Sequence, residues 1–185
     1  MKPFTHITDL HFTRHLPSPT IVYHMLETAT DGAPYRWGRV NSYTTRVMHH
    51  AGIEWDQHLV EPVTAETRPL TTPATGEDVW ATTTLFLRKA EDNPDRLRHE
   101  PGDMLAQYLD GAVDLRGVSH PIRYPDQYTT LEQQFLPDLH TAALITGRGT
   151  VTDQDRLEAL QQSGVGGGHA LGCGLLTVSA HKRRL

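Results

Sequence analysis

The chain has 185 residues, of which 37% are hydrophobic, and a formal net charge of -5. That is enough apolar material for one ordinary domain or two small ones packed together, so a folded globular protein is expected. The negative charge argues against a protein that coats nucleic acid without regard to sequence, because such binding draws most of its free energy from cationic neutralisation of phosphates.

Met1-Lys2-Pro3 leads into polar residues, and the longest aliphatic run, Ala142 to Ile145, is far too short to span a bilayer. The expectation is a soluble, cytoplasmic protein with no membrane partner. Phe4 to Phe12 comes close to apolar/polar alternation and reads as a first strand. Ser18 is a suitable N-cap with Pro19 at the first helical position, so a helix is expected from Pro19 to Ala29, ended by the Asp31-Gly32 turn. At helical spacing Ile21, Val22, Met25, Leu26 and Ala29 fall on one face, and Tyr23, His24 and Glu27 on the other. Strands are expected at Tyr35 to Val40 and Tyr43 to His49, joined by a tight turn at Asn41-Ser42.

Val60 to Asp78 is rich in Thr and Pro and reads as a long surface loop before a strong strand candidate at Val79 to Leu87. The charged, Pro-containing stretch from Lys89 to Gly102 reads as a linker, followed by a helix at Asp103 to Leu109. Gly117 to Pro137 supports no firm element. Then come a strand at Leu139 to Thr146, a helix from Asp153 to Gln162 capped by Thr152, a glycine-rich loop, and a last strand at Leu175 to Val178. This order predicts an α+β protein of two halves, residues 1–90 and 103–185 joined by 91–102.

Cys173 is the only cysteine, which excludes an intrachain disulfide and a cysteine-rich zinc site and favours a small buried apolar residue. No HExxH pattern or clustered Asp pair points to a metal. His49 and His50 are adjacent, so in a strand they face opposite ways, and His11 and His15 fall across a strand end. Neither pair is expected to hold a metal, and no cofactor is expected. The basic residues His181-Lys182-Arg183-Arg184 form a cluster just before Leu185.

Gly164, Gly166, Gly167, Gly168, Gly172 and Gly174 lie within eleven residues. Such a loop lets backbone N–H groups approach an anion, or another backbone, closely. A dinucleotide site would need a strand before the loop and a helix after it, the reverse of the order here, and the Gly-Lys-Ser/Thr ending of a phosphate loop is missing. An anion-binding loop and a packing loop that turns the last helix back onto its sheet both remain open.

The string from Gly164 to Val178 resembles the C-terminal signature of the CasE-type CRISPR repeat endoribonucleases, G-[IV]-G-x-x-[KR]-[AS]-x-G-x-G-L-L. Phe86-Leu87-Arg88-Lys89-Ala90 followed by Asn93-Pro94 resembles the family's F-R-L-R-A-N-P segment with two extra residues, and Leu144 to Val151 resembles the strand before its last helix. This resemblance implies two ferredoxin-like (RRM-like) domains in tandem, the first with the catalytic helix and the second with the glycine loop. It also implies a metal-independent endoribonuclease that cuts CRISPR repeat stem-loops and stays bound as a subunit of a type I-E Cascade complex. Its partners would be repeat RNA and the other Cascade subunits. The implied catalytic residues are His24, the only histidine of the first helix, in the place of a Y-x-x-H motif whose tyrosine position is Ile21 here, and Tyr23, the neighbouring phenol. The implied RNA contacts are Gly164, Gly166, Gly167, Gly168, His169, Gly172 and Gly174. His169 stands where the family carries Lys or Arg. Arg36 and Arg39, with Arg46 and Arg88, are further cations on predicted strands for an RNA path. A subunit that binds guide RNA without cutting it is the alternative.

Overall fold

The N-terminal alternation folds as β1 (His6–Phe12), with Leu10 and Phe12 turned to one face and Ile7 and Asp9 to the other. The structure, a computed structural model, describes residues 2–14, 18–41, 43–53, 55, 63–88, 96–119, 122–123 and 139–180. His15, Ser42 and the basic cluster at 181–184 lie outside the described residues.

Helix α1 spans Pro19–Thr30, with the Ser18 side chain accepting from the Ile21 amide and Asp31 closing the helix in the left-handed conformation. Val22, Leu26 and Ala29 pack on Leu10, Trp37 and Val47, as the apolar face requires. Ile21 was expected on that face, but it is 51% exposed, because the buried stripe is centred on Val22, Leu26 and Ala29 and leaves Ile21 at its edge. β2 (Tyr35–Asn41) and β3 (Thr44–His49) form the expected hairpin. Within the stretch expected to be loop, β4 (Val63–Pro69) pairs antiparallel with β1. The first sheet has the order β2-β3-β1-β4, which is that of a ferredoxin-like unit.

β5 (Asp78–Arg88) pairs with β8 (Leu139–Val151) and β9 (Thr177–Ala180), so it begins the second sheet and does not end the first. Sheet membership therefore moves the boundary between the halves from residue 90 to the chain between Pro69 and Asp78. The reason is pairing: β5 is the long central strand that β8 and β9 flank, and the second half cannot close without it. Helix α2 (Arg96–Leu109) starts within the expected linker and runs through Pro101. It is followed by β6 (Val113–Val118) and by the short β7 (Ile122–Arg123), which pairs with β8. Helix α3 (Gln154–Ser163) is capped by Asp153, not Thr152, with the Asp153 carboxylate accepting from the Arg156 amide at 2.9 Å. The second sheet has the order β6-β8-β5-β9, so each half repeats one topology, and the α+β expectation of two ferredoxin-like units in tandem holds.

Leu105, Leu109, Ile145, Leu157 and Leu176 form the larger core, and α1 seals the smaller one. Leu26 is 1% exposed at the centre of that seal. Leu26→Ala is expected to cost about 2–5 kcal/mol of stability, to be read as a shift in the urea midpoint.

Candidate nucleic-acid interface

α3 ends where Gly164, at φ 72°, turns the chain while its amide still donates to the Leu160 carbonyl. The loop then closes on itself, with Val165 N–H donating to Gly174 O at 2.8 Å and Cys173 N–H to Gly168 O at 3.1 Å. Gly174 N–H reaches the Thr84 carbonyl at 2.8 Å, which stitches the loop to β5. A Cβ on Gly172 would lie 2.7 Å from the Trp37 ring, and one on Gly38 would lie 3.2 Å from Leu175 Cβ, so the loop sits flush on β2.

The loop divides into a buried half and an exposed half. Gly172 to Leu176 is buried; Gly172, expected among the RNA-contacting glycines, packs on Trp37 of the first unit, and Gly174, also expected there, packs within the loop against Val165 O and His169. Gly166, Gly167, His169 and Ala170 are exposed, and nothing lies within 4 Å of a Cβ built on Gly167. Gly164 is half-buried against Gly174 O and Arg36, and Gly168 adopts φ 80° to start the 3₁₀ turn His169–Leu171. Cys173 is buried as expected, and burial pushes its thiol up to about 12.

This 3₁₀ turn touches α1. Between them is a cleft of about 310 Å³ lined by Tyr23, Glu27, Tyr35, Arg36, Trp37 and His169, together with the turn after α1. His24 is exposed on the adjoining surface of α1, its ring 5.6 Å from that of Tyr23 and edge-on to it. Tyr35 and Glu27 were not singled out from sequence as site residues, although the position of Glu27 one turn beyond Tyr23 was a usable signal.

Arg36 donates through Nε to the Gln162 carbonyl at 3.0 Å and brings Nη1 within 3.1–3.3 Å of the His169 ring nitrogens. Burial, with the Arg36 charge beside it, pulls His169 below the ordinary histidine range, against the opposing effect of the Cys173 carbonyl. A neutral ring that donates from Nδ1 to Cys173 O and accepts Arg36 at Nε2 satisfies both contacts. The positive charge at this point of the surface therefore belongs to Arg36.

Arg39 does not join it. That side chain lines a separate cleft of about 860 Å³ between the two sheets, with Arg46 and Arg68. Arg46 and Arg68 converge on Asp9, Arg46 with two bonds of 2.5 and 2.8 Å. Burial raises Asp9, but the two guanidinium groups outweigh it and hold the carboxyl below its usual range. β5 ends at Arg88. His49 is buried with its ring nitrogens on Thr8 and the His50 carbonyl, while the His50 ring lies 5.4 Å from that of Phe4 and tilted to it by 37°. His11 binds Thr44. Among the described residues no three His, Cys, Asp or Glu side chains gather as a metal site, and no helix is long and apolar enough to cross a membrane.

A sequence model of the CRISPR associated protein family matches residues 130–180, the segment that holds the glycine loop. No curated protein matches the chain. Among solved structures, the CRISPR endoribonuclease Cse3 bound to a 19-nucleotide RNA superposes with a TM-score of 0.71 at 20% identity, over 95% of this chain and 99% of that one. The CRISPR-associated protein Cas6e from Escherichia coli K-12 follows at 0.63 and 15%, over 94% and 98%. A chain of E. coli Cascade bound to a PAM-containing double-stranded DNA target gives 0.58 and 17%, over 93% and 97%. The fold is that of the tandem ferredoxin-like CRISPR-associated proteins, and the resemblance to the CasE type extends from the glycine signature to the architecture of nearly the whole chain.

The two halves of the loop make separable predictions. Gly172→Ala meets the Trp37 ring at a positive φ and should lower thermal stability by more than about 1 kcal/mol, whereas Gly167→Ala should leave the melting temperature nearly unchanged.

Proposed function

We propose that the chain binds the stem-loops of CRISPR repeat transcripts, cuts them without a metal ion, and holds the product as a subunit of a Cascade complex in the cytoplasm. The observation that carries this reading is the contact of α1, with His24 exposed on it, against the 3₁₀ turn of the glycine loop, with Arg36 at their junction. The Cse3 and Cascade likenesses support the choice of RNA and of partner.

The chemistry requires little beyond that arrangement. A ribose 2′-hydroxyl already stands beside its own 3′-phosphate, so holding the nucleotide in line for attack supplies much of the acceleration. His24 takes the 2′-hydroxyl proton or protonates the departing 5′-oxygen, a role worth on the order of 10²- to 10⁴-fold. Arg36 and the exposed backbone of Gly166 to Ala170 stabilise the extra charge on the phosphorane. Tyr23 faces the cleft beside His24 and offers a hydroxyl. Arg39 meets a different part of the RNA, because it opens into the cleft between the sheets.

A second reading, a subunit that binds guide RNA without cutting it, draws on two observations. Ile21 supplies no hydroxyl where the family motif has tyrosine, and His169 is held neutral. Purified protein incubated with repeat hairpin in EDTA separates the two: a specific cut supports the enzyme, and no cut under any condition supports the binding subunit. His24→Ala should slow single-turnover cleavage at least about 100-fold with hairpin affinity retained. The wild-type product should end in a 2′,3′-cyclic phosphate or a monophosphate derived from it, and a 2′-deoxy nucleotide at the cut site should stop the reaction. Arg36→Gln is expected to weaken hairpin binding roughly tenfold, because a charge-assisted hydrogen bond contributes about 1.5–3 kcal/mol. A filter-binding titration at fixed salt checks it.

A further inference from the structure

Glu27 lies three residues beyond His24 and four beyond Tyr23, so all three share one side of α1. An exposed carboxylate in a cleft that receives a polyanion works against binding, and its presence calls for a compensating role. The Tyr35 hydroxyl donates to Glu27 Oε1 at 2.7 Å, and Tyr23 lines the same cleft as Glu27 and Tyr35. Burial, reinforced by the Glu27 carboxylate, holds both phenols above their ordinary range, so each keeps its proton. The Tyr23 ring stands 6.5 Å from the Tyr35 ring on one side and 5.6 Å from the His24 ring on the other, meeting the imidazole edge-on at 63°. β2 fixes the far end of this chain of contacts, because Tyr35 pairs with His49 at the start of the hairpin.

We propose that Glu27 and Tyr35 are positioning residues: the carboxylate ties the Tyr23 and Tyr35 hydroxyls together, and the Tyr23 ring held in this way sets the orientation of the His24 imidazole. The inference rests on the reading that His24 moves the proton. An exposed histidine on a helix samples several rotamers, and a catalytic group gains from having one of them selected before the substrate arrives. Because Ile21 offers no hydroxyl, the aromatic wall beside His24 is supplied by Tyr23, and Tyr23 needs an anchor of its own. Glu27 provides that anchor from the same helix, and Tyr35 connects it to the sheet.

The test is single-turnover cleavage and equilibrium binding of a repeat hairpin by the full chain and its Glu27→Ala, Glu27→Gln and Tyr35→Phe variants. Glu27→Ala and Tyr35→Phe should each slow the cut roughly tenfold, while hairpin affinity stays within about twofold for Tyr35→Phe and does not weaken for Glu27→Ala, since the presentation of the reacting group is what changes the rate. Glu27→Gln keeps an acceptor oxygen and loses the charge, so it should recover most of the rate. If Glu27 were merely a surface charge, Glu27→Ala and Glu27→Gln would behave alike, both tightening the RNA without slowing the cut, and that result overturns the proposal. Tyr35→Phe removes one oxygen and preserves the ring, so wild-type cutting by that variant would also overturn it. Should His24→Ala cut at the wild-type rate, the reading beneath the inference fails; should His24→Ala be inactive while Glu27→Ala cuts normally, the inference fails alone.

Discussion

The close fit of the glycine loop on β2 is the constraint on which the rest of the arrangement depends. Gly172 lies under the Trp37 ring where no Cβ fits, and Gly38 lies against Leu175 and the Gly172 carbonyl where a Cβ would be tight. Trp37 belongs to the core that α1 seals, and Leu175 packs with Ile7 and Met48 on the other face of the same sheet. The loop therefore registers on both faces of the first unit. Further bonds fix the junction: the Phe4 amide donates to Gln162 Oε1, Gln162 donates back to the Phe4 carbonyl, and Arg36 donates to the Gln162 carbonyl. Helix α1 and the exposed turn of the loop belong to different units, and their meeting is a consequence of this junction.

Under the proposed function, the same junction reconciles an acidic chain with a polyanionic ligand. A net charge of -5 gives little non-specific attraction, so affinity has to come from a few placed donors and from fit. The cations are unevenly used. Arg46 and Arg68 share the Asp9 carboxylate, and Arg116 pairs with Asp78. Arg36 is placed differently, since its polar neighbours at the loop are a carbonyl and a neutral imidazole, which hold the guanidinium without neutralising it.

The sequence disclosed elements whose signal is local. The Ser18-Pro19 start, the apolar stripe of α1 and the hairpin after it follow from spacing and capping chemistry within a dozen residues. β4 was hidden because an edge strand with most of its residues exposed has no reason to be apolar, and Val63–Pro69 reads as Thr- and Pro-rich loop. The place of β5 was hidden for another reason: its partner β8 lies more than fifty residues further along, and a strand does not record which sheet it joins. The first two turns of α2 escaped notice because Pro101 within a charged stretch is the ordinary mark of a break.

The candidate site was legible in its parts and not in its assembly. The glycine density announced a close approach, but two of the approaching partners, Trp37 and Arg36, are more than 120 residues away in the chain. His169 shows the consequence most clearly. Read along the sequence, a histidine in a lysine position is a lost charge that protonation would restore. In the fold, the lost charge has a substitute, because Arg36 reaches across from β2 to the same point, and its presence with burial keeps the histidine neutral. A lysine at 169 would stand beside the Arg36 guanidinium as a like charge and would remove the acceptor that steadies it, so the imidazole and the arginine have to be read as one unit. The charge and hydrogen bonding at the position are shared between two residues on two different ferredoxin-like units, and only the docking of the loop on β2 makes them neighbours.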